Sequence, residues 1–91
     1  MFTWEFNKEG YKSFKKLDKQ VQRQIVKYLE TNIQGSDNPR LLGKALEGNL
    51  SNFWRYRVGK YRIIADIQDN KFKVVVVRTN KRNDVYKKKN K

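Results

Sequence analysis

The stretch Phe53-Trp54-Arg55-Tyr56-Arg57-Val58-Gly59-Lys60-Tyr61-Arg62-Ile63-Ile64-Ala65-Asp66-Ile67-Gln68 decides how this chain folds. On either side of Gly59-Lys60 the residues read with a period of two, the signature of strands with one buried face. Two residues between two such runs, the first a glycine, have the length and chemistry of a tight hairpin turn. With Gly59-Lys60 as the turn, Val58 lies opposite Tyr61, Arg57 opposite Arg62 and Tyr56 opposite Ile63. Opposed residues share a face, and faces alternate along a strand. One face then carries Trp54, Tyr56, Val58, Tyr61, Ile63 and Ala65 and reads as core; the other carries Arg55, Arg57, Arg62, Ile64 and Asp66.

Downstream, Phe72 to Thr79 reads as a third strand, and Asp69-Asn70 as a second two-residue turn. That turn predicts Ala65 opposite Val74, Ile63 opposite Val76, and a cross-strand ion pair between Asp66 and Lys73. Upstream, Phe2, Trp4 and Phe6 alternate with polar residues as in a short strand. Asn7 is placed to cap a first helix, whose stripe Tyr11, Phe14, Leu17 ends it near Leu17. Asp18 can cap a second helix, in which Val21, Ile25, Tyr28 and Leu29 make the apolar stripe. The segment Gln34-Gly35-Ser36-Asp37-Asn38-Pro39 ends that helix. Leu41 to Gly48 reads as an irregular connection with Leu42 and Leu46 turned inward. The expected fold is α+β: an N-terminal strand, two helices, then a three-stranded antiparallel meander, with the helices packed on one face of the sheet.

Ninety-one residues make one domain, 1–91, and no internal repeat is visible. The chain has no cysteine and no histidine. Thiolate chemistry, disulfides, the commonest metal ligand and the usual proton shuttle are therefore excluded, and neither a metal nor a small-molecule cofactor is expected. No apolar run is long enough to span a bilayer, and the first residues lack the pattern of a signal peptide, so the expected location is cytoplasmic. Lys plus Arg number 22 against 9 Asp plus Glu, a formal charge of +13. Such an excess self-repels and points to a polyanionic partner, nucleic acid before a membrane surface, because no segment joins a long apolar face to a basic one. Residues 87–91, Lys-Lys-Lys-Asn-Lys, read as a frayed basic tail that attracts phosphate.

The basic face of the hairpin is more specific than the net charge. Like charges directly opposed in a sheet cost up to about 1 kcal/mol. Arg57 faces Arg62, with Arg55 two residues along and Asp66 as the nearby carboxylate. A phosphate oxyanion would supply the missing counter-charge, since guanidinium binds phosphate bidentately. Beyond the last strand, Lys81-Arg82 and Tyr86 follow; a tyrosine three or four residues past an arginine can share its side of a turn and stack on a base.

The block from Asn49 to Ile64, the run Val74-Val75-Val76-Val77 and the stretch Asn80-Lys81-Arg82-Asn83-Asp84-Val85-Tyr86 resemble the RelE/ParE superfamily of type II toxins. The order of elements fits that fold over nearly the whole chain, and the terminal Lys-Arg-x-Asp-Val-Tyr pattern resembles the RelE branch more than the ParE branch. The resemblance implies a metal-independent, ribosome-dependent endoribonuclease that cuts mRNA in the 30S A site. In the family reaction a ribose 2′-OH attacks the adjacent phosphate, leaving a 2′,3′-cyclic phosphate and a 5′-OH. By position, Arg55 and Arg57 match basic residues of the family's strand, and Arg62 matches the arginine that stabilises the transition state. Arg82 matches the arginine taken as general acid, and Tyr86 the tyrosine that stacks on the nucleotide. Lys60, Lys81, Lys87 and Lys88 would add contacts to mRNA or rRNA. The implied partners are the ribosome, mRNA and a cognate acidic antitoxin.

One departure from the family concerns the general base. The best-known members carry lysines where this chain has Arg55 and Arg57, and arginine, with a pKa of about 12 or more, is a poor base. Tyr86, Lys60 and Glu47 are the remaining candidates, or alignment and electrostatics suffice without one. Two rival functions share the charge pattern: a ParE-like gyrase inhibitor on the same fold, and a non-catalytic basic RNA-binding module.

Overall fold

The computed structural model describes residues 1–46 and 53–81. Its elements in chain order are β1 (Thr3–Phe6), α1 (Lys8–Lys15), α2 (Lys19–Asn32), β2 (Lys44–Ala45), β3 (Phe53–Val58), β4 (Tyr61–Gln68) and β5 (Lys73–Lys81). The strands form one sheet in the order β1-β5-β4-β3-β2. β1 runs parallel to β5, and the other pairings are antiparallel. The expected α+β class holds, with a sheet wider than the meander by two edge strands.

The Gly59-Lys60 hairpin has the register that its turn dictates. Val58 pairs with Tyr61, Arg57 with Arg62, Tyr56 with Ile63 and Trp54 with Ala65. Gly59 has φ 59°, a positive value that glycine tolerates and that hairpin turns of the primed kind require. Alternation then buries Tyr56, Ile63, Ala65, Ile67, Val74 and Val76 on the side of the helices, where Phe14, Ile25, Leu29 and Ile33 meet them. Val21 and Tyr28 line the margin of this core. Tyr11 stays half-exposed, its ring against Phe6 and Phe14.

The second hairpin corrects the expectation. The connection takes four residues: a 3-10 turn over Asp69–Lys71, then Phe72 in the left-handed region at φ 53°. No glycine follows Asn70, so a two-residue primed turn is disfavoured there. Asp69 is also held by Arg40, which donates from Nη1 and Nη2 to its two carboxylate oxygens at 2.8 and 2.9 Å. That bond keeps the Asp69 carboxyl below its ordinary range. The register moves by two: Ala65 pairs with Val76, Ile67 with Val74 and Gln68 with Lys73. The Asp66–Lys73 ion pair does not form. Lys73 instead bonds Glu5 across the β1–β5 pair at 3.0 Å, and Asp66 accepts from Gln68 at 3.1 Å.

A bulge then interrupts β4–β5 between the Ile64 and Ala65 pairings, leaving Val77 the extra residue. Beyond it Ile64 pairs with Arg78, Ile63 with Thr79 and Arg62 with Asn80. Thr79 therefore turns inward, and its N–H donates to Ser13 Oγ of α1 at 2.9 Å. β1 has ended by then, so Ser13 satisfies an edge group that would otherwise lack a strand partner.

Helix α1 begins as expected, with Asn7 Oδ1 accepting from Gly10 N at 2.8 Å. Asp18 occupies the N-cap position of α2, but its side chain makes no cap hydrogen bond. The connection after α2 differs from its expected form. Leu42 is exposed, Leu46 only half-buried, and Lys44–Ala45 form a strand against Arg55 and Trp54. Polar groups of β3 hold this segment: the Tyr56 hydroxyl donates to Pro39 O at 2.5 Å, and Trp54 Nε1 to Leu42 O at 2.6 Å. Gly43, at φ 79°, lies so close that an added Cβ would stand 2.3 Å from Arg55 O.

Burial raises the Tyr56 phenol above its ordinary value. Tyr56→Phe should cost about 1 to 2 kcal/mol at neutral pH by leaving the Pro39 carbonyl without its donor. Above pH ~10 the unfolded phenol ionises while the folded one stays neutral, so the stability Tyr56 contributes is lost as pH rises. The melting-temperature gap between wild type and Tyr56→Phe should therefore narrow from pH 9 to pH 11, and thermal scans across that range check it. No helix of the described residues is long and apolar enough to cross a membrane.

Candidate nucleic-acid interface

The helices cover one face of the sheet, and among the described residues no helix covers the other. On that outer face the register aligns two cross-strand rows. One is Arg57, Arg62 and Asn80; the other is Lys44, Arg55, Ile64 and Arg78. The three arginines expected on one face share it, because Gly59-Lys60 fixes their pairing. Arg57 is exposed, while Arg55 and Arg62 are half-buried, with Arg62 Nε shielded from solvent. The ion pairs formed among the described residues are Arg40–Asp69, Lys73–Glu5 and the N-terminal amine with Asp37. None of them draws charge from Arg55, Arg57 or Arg78. Asp66 lies two residues beyond Ile64, opposite Phe53 and Val75.

Lys60 is exposed in the turn, beyond the Val58–Tyr61 pair that follows Arg57 and Arg62. Lys81 pairs with Tyr61, which places it on the face opposite Arg62; it is exposed at the strand end and stands apart from the arginine rows. Arg82, Tyr86, Lys87, Lys88 and Glu47 lie outside the described residues.

Two cations escaped the sequence reading. Lys44 was hidden because a two-residue strand carries no periodicity. Arg78 was hidden because the bulge at Val77 reverses the alternation along β5. The uninterrupted apolar run Val74-Val75-Val76-Val77, which does not alternate, was the available signal.

Where β2 stops short, a groove of about 490 Å³ opens at the sheet edge, lined by Lys44, Arg55 and Arg57 with Tyr28 and Asn32 of α2. Among the described residues, no carboxylate lines it. Its cations suit a phosphate or a carboxylate, and its tyrosine a flat apolar group. Burial raises the Tyr28 phenol above its ordinary value, which disqualifies it as a base near neutral pH.

The family model of the ParE toxin of the type II toxin–antitoxin system parDE matches residues 4–86. The chain is a type II toxin of the RelE/ParE superfamily. Among solved structures, the toxin is similar to a chain of the RelBE2 toxin–antitoxin complex from Mycobacterium tuberculosis, with TM-score 0.79 and 26% identity over 89% of this chain and 91% of that one. It is similar to the isolated Escherichia coli RelE toxin, with TM-score 0.73 and 24% identity over 98% and 95% of the two chains. A chain of the RelB–RelE complex from Methanococcus jannaschii matches with TM-score 0.66 and 25% identity over 91% and 95%. A search of the curated proteins finds no match by sequence.

Proposed function

We propose that this toxin is a ribosome-dependent endoribonuclease that cuts mRNA in the 30S A site, on the face formed by Arg55, Arg57 and Arg62. The observation that carries the proposal is the direct opposition of Arg57 and Arg62 on a face where the described ion pairs leave Arg55 and Arg57 without a carboxylate. In the proposed reaction the ribose 2′-OH gives its proton to solvent and attacks the adjacent phosphorus. The P–O bond to the 5′-oxygen breaks, and that oxygen takes up a proton. Negative charge accumulates on the non-bridging oxygens, where fixed guanidinium groups stabilise it most strongly at the transition state. Arg62 is assigned to that charge, Arg57 to holding the scissile phosphate, Arg55 to the phosphate beside it, Arg82 to the leaving oxygen and Tyr86 to stacking on the nucleobase. The ribosome supplies orientation of the strand, which this open site does not impose by itself. The general base is left unassigned, and alignment with electrostatic stabilisation carries the attack.

The likeness to toxins solved with their antitoxins supports a cognate partner as well. We assign it a small acidic antitoxin that neutralises the basic face, since an excess of +13 is a strong attractor for such a chain.

The matched family model is that of ParE toxins, which favours inhibition of gyrase as the second reading. Primer extension on a translated message separates the two. Wild-type toxin should produce cuts at A-site codons only while ribosomes translate, with gyrase supercoiling untouched. No A-site cuts together with arrested supercoiling would establish the ParE function, and binding with neither effect the non-catalytic module.

A further inference from the structure

We infer that Arg78 is an RNA-contacting residue that, with Arg55, holds the phosphodiester adjoining the scissile one; this rests on the ribonuclease function proposed above. Position 78 reaches the outer face only through the bulge at Val77. Without that extra residue Arg78 would share the face of the core. Thr79 and its bond to Ser13 account for the bulge, but that bond involves no group of the Arg78 side chain. It is exposed, and no described ion pair includes it. It nevertheless sits in one cross-strand row with Arg55 and Lys44, separated from Arg55 by the half-buried Ile64.

The outer face thus carries two cationic rows, two residues apart along the strands, or about 6.8 Å at 3.4 Å per residue. An extended RNA strand lying along β4 spans consecutive phosphates on this scale. Its scissile phosphate would rest on Arg57 and Arg62, and its neighbour between Arg55 and Arg78. Ile64 would meet the intervening sugar or base. The neighbouring phosphate does not change charge in the reaction, so Arg78 contributes to binding equally before and during the chemical step.

The test uses ribosomes programmed with mRNA carrying a 2′-deoxy sugar at the cut site, for binding, and all-ribose mRNA, for single-turnover cleavage. Arg78→Ala should weaken binding about fivefold to tenfold and reduce the salt dependence by roughly one single-strand phosphate contact, a slope change of about 0.7. Its cleavage rate at saturating toxin should stay within about threefold of wild type. Arg78→Lys should recover most of the binding, since a point charge serves a phosphate. Replacing each phosphodiester beside the cut in turn with an uncharged methylphosphonate should weaken wild type at one of them and weaken Arg78→Ala less there, by the contact that Arg55 keeps. Binding and salt slope equal to wild type in Arg78→Ala would overturn the assignment, as would a hundredfold loss of the saturated rate with binding intact. Wild-type toxin that neither binds nor cuts on ribosomes would instead overturn the ribonuclease function, and this assignment with it.

Discussion

Arg62→Ala is expected to slow single-turnover cleavage of ribosome-bound mRNA by about 10²- to 10³-fold, the loss typical of one preorganised donor to a developing oxyanion. Binding to ribosomes programmed with 2′-deoxy mRNA should change less than tenfold, since the guanidinium works hardest at the transition state. Arg62 is the candidate for this largest effect because it sits on β4, inside the sheet, opposite Arg57 and next to Asn80. Its half-buried position holds the guanidinium more firmly than an exposed arginine such as Arg57 is held. Arg62→Lys should recover only part of the rate, because a point charge cannot reproduce two parallel hydrogen bonds to phosphate. The variant must melt within a few degrees of wild type for the loss to be read as chemistry. A cleavage rate within threefold of wild type would remove Arg62 from the reaction.

Gly10→Ala is expected to have the largest effect on stability. Helix α1 lies so close to β5 that a Cβ at this position would stand 1.9 Å from the Val76 carbonyl oxygen and 2.7 Å from its carbon. Backbone cannot move aside as a flexible side chain can, so the helix must lift. Val76 O also accepts from Asn7 N at 3.1 Å, and Ser13 Oγ accepts from Thr79 N at 2.9 Å. Lifting α1 therefore strains two further contacts. Overpacking a tight contact costs typically 1–3 kcal/mol, and the upper end, about 3 kcal/mol, is expected here. For a domain of this size that lowers the melting temperature by roughly 12 to 24 °C. Ser13→Ala, which removes the acceptor for Thr79 N and the hydroxyl's own bond to Gly10 O, should cost about 1 kcal/mol. Thermal or urea melts of both variants check the ranking, and equal melting temperatures for Gly10→Ala and wild type would contradict the close approach.

The two halves of the sheet differ in how far the sequence reveals them. Gly59-Lys60 is a local instruction: a two-residue turn leaves one pairing for Arg55, Arg57 and Arg62, and the structure has that pairing. Asp69-Asn70 looks like a similar instruction but is overruled by distant groups. Arg40, far away in sequence, holds Asp69, and the Phe72 carbonyl accepts from Thr3 N at 3.0 Å as β1 enters the sheet. The turn lengthens, and the register follows. The edge strand Lys44–Ala45 was equally illegible, since it exists because Tyr56 and Trp54 hold the segment before it through Pro39 and Leu42.

By itself, the sequence determined the α+β class, the helices and their buried stripes, the arginine hairpin and the large excess of positive charge. Each depends on periodicity, a local turn or total charge, which neighbouring residues settle among themselves. Only the tertiary structure decided what stands beside those arginines. The β4–β5 register, the bulge at Val77 and the short β2 arise from contacts between segments remote in the chain. Together they put Arg78 and Lys44 in one row with Arg55, because a single extra residue in a strand is enough to reverse which face every later side chain occupies.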